Sequence, residues 1–159
     1  MVSIEEFKKS LGRFASGVTV ITYKDENLYS GVTVSSFSSL SIEPPLVLFS
    51  INKSIQSHDR LIVSKYLAIN ILSSEQEGLS NGFASSKTDK NRMILDLNPE
   101  FIENIPILPG VLSYLFCENY KNYDGGDHTI FLAKVIQTNT YEDKEPLLYY
   151  NKAYRFISK

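Results

Sequence analysis

Three segments of the 159-residue chain concentrate side chains capable of chemistry. In Ser30-Gly31-Val32-Thr33-Val34-Ser35-Ser36-Phe37-Ser38-Ser39-Leu40-Ser41, six of twelve residues are serine, too many hydroxyls for a core. Beside a strand they fit a solvated edge running into a turn. They fit equally a polar strand end whose backbone groups and hydroxyls meet a flat heteroaromatic ring. The second segment, Ser50-Ile51-Asn52-Lys53-Ser54-Ile55-Gln56-Ser57-His58, passes from an apolar strand into a helix. Ser54 and Ser57 are expected in the first helical turn, where free N–H groups and the positive dipole end attract a phosphate, and Lys53 adds a full charge. A plain serine N-cap is the alternative. In the third, Asp124-Gly125-Gly126-Asp127-His128-Thr129, glycines permit a tight turn and leave His128 at the mouth of the next strand. Imidazole changes charge near neutrality, so His128 suits proton donation or a hydrogen bond to a carboxamide; a hairpin-tip histidine is the other reading.

Several familiar sites are excluded. Gly12 to Thr19 has the outer spacing of a phosphate loop, but Val18 stands where the lysine belongs. No G-x-G-x-x-G follows a strand and no G-x-S-x-G is present, which removes a dinucleotide fingerprint and a nucleophile elbow. His58 and His128 are seventy residues apart without ligand spacing around them, so no metal is expected. Cys117 is the sole cysteine, so redox chemistry requires a cofactor. A net charge of -2 gives no surplus for binding nucleic acid. The acidic N-terminal segment does not resemble a signal peptide, and no apolar run reaches membrane-spanning length, so a cytoplasmic location without a membrane partner is expected.

The elements that position these segments are mostly strands. Ser3 and Glu6 form a capping box for a helix whose apolar spacing of Ile4, Phe7, Leu11 and Phe14 runs until Gly17. Val18–Tyr23 and Leu28–Phe37 read as a hairpin about Asp25-Glu26-Asn27. After Pro44-Pro45, the continuous apolar run Leu46–Ile51 suggests a central strand buried on both faces. A helix from Ser54 to about Lys65 and a strand Tyr66–Leu72 follow, then a capping box of Ser74 and Glu77 opens a helix to about Ala84. Ser85–Pro109 is polar and proline-punctuated, and reads as a long excursion of the kind that often serves as a lid. Val111–Tyr123 and Asp127–Tyr141 make a long hairpin, and a last strand pair follows Pro146 and ends near Ile157. The pattern predicts one domain over 1–159, mainly β: a small barrel with two or three flanking helices.

Taken in order, several segments resemble the short flavin reductases of the FMN-binding split-barrel family, the reductase partners of two-component flavin-dependent monooxygenases. The resemblance is carried by Phe7 with Leu11 to Val20, Thr33 to Ser39, Pro44 to Val47, Asn52-Lys53-Ser54 with Ser57-His58, and Phe83-Ala84. It continues in Gly126 to Phe131, and in Pro146 to Tyr150 with Tyr154. It implies a Greek-key split β-barrel, a homodimer and hydride transfer from NADH or NADPH to FMN or FAD, with reduced flavin passing to an oxygenase of aromatic hydroxylation. It also implies that Thr33, Val34, Ser35, Ser36, Ser50 and Ile51 approach the flavin ring, with Asn52 and Tyr154 nearby. Lys53, Ser54 and Ser57 would serve the phosphate, Phe83 and Ala84 would line the site, and His128 would be the catalytic residue on the nicotinamide side. A flavoprotein acting on another substrate, a non-enzymatic flavin-binding protein and a ligand-free interaction module remain the alternatives.

Overall fold

A computed structural model describes residues 1–141 and 144–157. The expected unit of 1–159 also takes in residues 142, 143, 158 and 159, which lie outside the described residues. Helix α1 (Ile4–Leu11) opens on the expected capping box: the Ser3 hydroxyl accepts from the Glu6 N–H at 3.2 Å, and the Glu6 carboxylate accepts from the Ser3 N–H at 3.3 Å. The helix stops before Gly12 rather than at Gly17, because Ser16–Gly17 forms a short strand, β1, paired with Leu148–Tyr150. No residue of α1 is buried.

Strands β2 (Thr19–Asp25) and β3 (Leu28–Val34) form the expected hairpin, with β3 ending before the serine cluster, followed by β4 (Ser38–Ser41) and β5 (Leu46–Asn52). Then come α2 (Gln56–Val63), β6 (Tyr66–Ile71), a 3-10 turn at Ser74–Gln76 and α3 (Glu77–Ala84). The capping pair before α3 is Ser73 and Gln76 rather than Ser74 and Glu77. The Gln76 side-chain oxygen accepts from the Ser73 N–H at 3.0 Å, starting the turn one residue earlier.

The chain continues through α4 (Lys90–Asp96), β7 (Glu100–Ile102), β8 (Ile105–Ile107), β9 (Ser113–Gly125) and β10 (His128–Thr140). It finishes with the hairpin β11 (Leu148–Tyr150) and β12 (Ala153–Arg155).

Seven strands form one antiparallel sheet in the order β3-β2-β6-β9-β10-β5-β4. The sheet curls on itself: the Ser36 hydroxyl, just past β3, accepts from the Ser50 N–H at 3.0 Å and donates to the Ser50 carbonyl at 3.2 Å. Inside lie Ile21, Tyr23, Val32, Val34, Phe49, Ile69 and Phe131, with Leu61 of α2 plugging one end. The chain is therefore mainly β with a curled antiparallel sheet and flanking helices, in agreement with the sequence.

Two expectations are corrected. Strand β5 is next to the edge, not central, and its burial alternates: Val47, Phe49 and Ile51 enter the core while Leu46, Leu48 and Ser50 are half-buried outside. A continuous apolar run does not show whether the second face meets the same chain. The Ser85–Pro109 excursion is not an irregular loop. It builds α4 and the β7–β8 hairpin, and buries Ile94, Ile105, Ile107 and Leu108. Asn70 pins it by accepting from the Leu108 N–H at 2.9 Å, and the Thr22 hydroxyl donates to the Pro106 carbonyl at 2.6 Å.

Candidate functional site

The end of β3 is the common wall of three adjoining depressions. In the first, Thr33, Val34, Ser35 and Ser36 face Ser50, Ile51 and Asn52 from the end of β5, with His128 at the rim. Curling of the sheet produces this meeting, since β3 and β5 lie near opposite ends of the strand order. Val34 and Ile51 are buried and apolar, whereas Ser35 and Ser36 are exposed, giving an apolar floor beneath a hydroxyl-rich lip. Such a surface suits a flat ring with polar edges.

The second depression, about 340 Å3, lies between β3, the start of α2 and the α3–α4 connection. Phe83 and Ala84 line it, and Phe83 is fully buried. Gly31 admits that ring: a Cβ there would stand 2.9 Å from Phe83 Cδ1 and 3.1 Å from the Ile21 carbonyl oxygen. Ser57, only 6% exposed, also lines this space, and no side chain caps α2. Ser57 thereby sets a hydroxyl and the positive end of α2 beside the same depression. Lys90 completes it without an ion pair among the described residues, and desolvation lowers its pKa. Sequence reasoning missed Lys90. Its signal was a lysine opening a helix, the end where the dipole disfavours a cation.

The third depression contains Tyr154 together with Thr33, Ser35 and Ala84. The Tyr154 hydroxyl donates to Asn81 Oδ1 at 3.0 Å and shares a hydrogen bond with Ser80 Oγ at 2.8 Å, and the Thr33 hydroxyl donates to the Ser80 carbonyl at 2.6 Å. These bonds tie β12, α3 and β3 together around the site.

Two expected residues fall outside these depressions. Helix α2 starts at Gln56, so Ser54 precedes its first turn, and the Ser54 N–H and hydroxyl both donate to Asn52 Oδ1, at 2.8 and 2.7 Å. The Lys53 ammonium donates to the Asp124 carboxylate and, at 2.6 Å, to the Gly126 carbonyl. That bond holds the Asp124 carboxyl below its usual pKa. His128 Nδ1 lies 2.7 Å from Asp127 Oδ1, and this hydrogen bond likewise lowers the Asp127 pKa. Among the described residues no group of three or more His, Cys, Asp and Glu side chains is placed to hold a metal ion, and no helix is long and apolar enough to cross a membrane.

A family model described as "Flavin reductase like domain" matches residues 11–158. The chain belongs to the flavin reductase like family. Among its relatives in that family, the FMN reductase (NADH) SmoA of Agrobacterium fabrum is 36% identical over 154 residues, covering 96% of this chain and 86% of the relative. The reductase subunit HsaB of a flavin-dependent monooxygenase from Rhodococcus jostii is 35% identical over 151 residues, covering 95% and 76%. The flavin reductase PheA2 superposes with a TM-score of 0.89 at 31% identity, over 99% of this chain and 100% of that one. The NADH:FAD oxidoreductase SgcE6 of Streptomyces globisporus, solved with NAD and FAD fragments, gives 0.88 at 29% identity over 99% and 96%. The flavin reductase like fold thus accounts for the whole described sheet, including the strand ends that meet at the three depressions.

Proposed function

We propose that this chain is an NADH-dependent flavin reductase that delivers reduced FMN or FAD to a monooxygenase component. The observation that carries the reading is the convergence of β3, the end of β5, the start of α2 and His128 on adjoining depressions. The residues fit a flavin: an apolar floor with a hydroxyl lip for the ring, and a serine in the first turn of an uncapped helix with a desolvated lysine opposite for a phosphate. When bound, flavin accepts at N5 the hydride carried by nicotinamide C4.

The chain's own contribution is placement. Thr33 to Ser36 and Ser50 to Asn52 orient the ring, with Val34 and Ile51 beneath it. Ser57 and Lys90 hold the phosphate, and Phe83, Ala84 and Tyr154 close the sides. His128 presents its ring at the rim, where it orients the carboxamide of the hydride donor. Names of relatives such as the FMN reductase (NADH) SmoA and the monooxygenase subunit HsaB support the donor and the oxygenase partner.

We also propose a homodimer working in the cytoplasm as one unit. The exposed apolar face of α1 and the half-buried outer face of β5 supply surface for a second copy, and the lone cysteine is consistent with a reducing compartment. Steady-state oxidation of NADH and of NADPH with FMN, FAD and riboflavin tests the reading. Turnover dependent on flavin and faster with NADH is expected. Flavin binding without turnover would instead make this a non-enzymatic flavin-binding protein.

A further inference from the structure

We propose that Lys53 is a positioning residue: it clamps the β9–β10 tip and thereby fixes His128 at the rim of the ring depression. The inference rests on the reading of His128 as the contact to the hydride donor. Lys53 follows β5 directly and reaches the tip with three bonds. Its ammonium donates to the Asp124 carboxylate and to the Gly126 carbonyl at 2.6 Å, and its own N–H donates to the Asp127 carbonyl at 2.9 Å. All three acceptors lie in the four residues before His128.

The β9–β10 and β5–β10 ladders hold the strand ends, pairing His128 with Gly125 and with Asn52, and leave the two-residue turn Gly126-Asp127 to be fastened by side chains. Asp124, Gly125, Gly126 and Asp127 are all exposed, and Gly126 has φ +79° at the first of two loop residues, where a type II′ turn favours glycine. Gly126, the only glycine in the two-residue turn, leaves it less restrained than a residue with a side chain would. The fastening matters because Asp127 is the residue that grips His128 Nδ1, at 2.7 Å, while Nε2 has no partner among the described residues. The ladders hold the His128 backbone, while Lys53 fastens the turn and, through Asp127, restrains the imidazole. The ladder pair His128 and Asn52 places the same ring beside the residue preceding Lys53.

A phosphate role for Lys53 and this positioning role make opposite demands, since an ammonium held by Asp124 and Gly126 is not free for a ligand. The test uses Lys53→Met, Lys53→Arg, His128→Ala and the double variant Lys53→Met/His128→Ala. In the ligand-free protein, Lys53→Met should speed amide hydrogen exchange across residues 125–129 about tenfold and leave the core strands unchanged. In turnover, Lys53→Met should raise the KM for NADH about tenfold, Lys53→Arg should recover part of it, and the double variant should be no worse than His128→Ala. The ratio of FMN to riboflavin affinity should stay at the wild-type value. Unchanged exchange at the tip in Lys53→Met overturns the clamp. A selective loss of FMN against riboflavin overturns it in favour of a phosphate contact. Wild-type KM in His128→Ala, with a loosened tip in Lys53→Met, overturns the proposal at His128 while leaving flavin reduction itself standing.

Discussion

Single residues at the depressions divide into those whose chemistry was legible in sequence and those whose partners were not. Thr33 to Ser36 and His128 could be picked out because dense hydroxyls and a histidine after paired glycines are unusual in local composition. What sequence could not show is where a long side chain turns. Lys53 looked like a phosphate ligand beside Ser54, but Asp124, distant in sequence, captures its ammonium. Lys90, within the stretch read only as a polar excursion, lines the second depression. Lys90→Met should weaken FMN about tenfold or more and leave riboflavin unchanged, as measured by fluorescence titration of each flavin. Cys117 gives a second test. Burial pushes its thiol up to about 12 from 9.0, so the folded state keeps a proton that the unfolded chain loses. Its contribution to stability is full below pH 9 and is lost as pH rises toward 12. Urea melts of wild type and Cys117→Ala at stepped alkaline pH should show the steeper decline in wild type.

Among the elements, the β2–β3 and β9–β10 hairpins and the Ser3–Glu6 start of α1 were legible because their signals are local, whereas the cap before α3 fell one residue away from its expected place. The misreadings concern elements whose burial is decided by distant partners. Strand β5 is apolar apart from Ser50 and Asn52, but the core covers only one of its faces. The stretch Ser85–Pro109 reads as polar because its apolar residues are dispersed over α4, β7 and β8 among charged and amide side chains, although Ile94 and Ile107 are core. Ile94→Ala should therefore destabilise the fold by about 2–5 kcal/mol, where an equivalent truncation in a mobile lid would cost almost nothing. Gly31→Ala tests the packing of β3 on α3, since its methyl must displace the buried Phe83 ring or the Ile21 carbonyl. A loss of about 1–3 kcal/mol in denaturant melts is expected, with weaker flavin binding alongside it.

On the scale of the whole molecule, the curled sheet brings strand ends from distant parts of the chain to one rim, a closure that strand patterns suggest but cannot specify. Ile4, Phe7, Leu11 and Phe14 are 74%, 53%, 58% and 81% exposed, an apolar face better suited to a second copy than to water. Sedimentation equilibrium should give twice the chain mass of 18.0 kDa, and Phe7→Asp with Phe14→Asp should shift the population toward monomer. A monomer at micromolar concentration in the wild type would remove the second copy from the account. The central claim, that the depressions around β3 bring a hydride donor against a flavin, is tested most directly by anaerobic single turnover. Protein and FMN are mixed with NADH, or with NADH deuterated at the transferred position, and loss of the oxidised-flavin absorbance is followed in time. The account predicts bleaching far faster than in a protein-free control, one NADH consumed per flavin, and a slower rate with the deuterated donor. Bleaching no faster than the control, with flavin demonstrably bound, would contradict it.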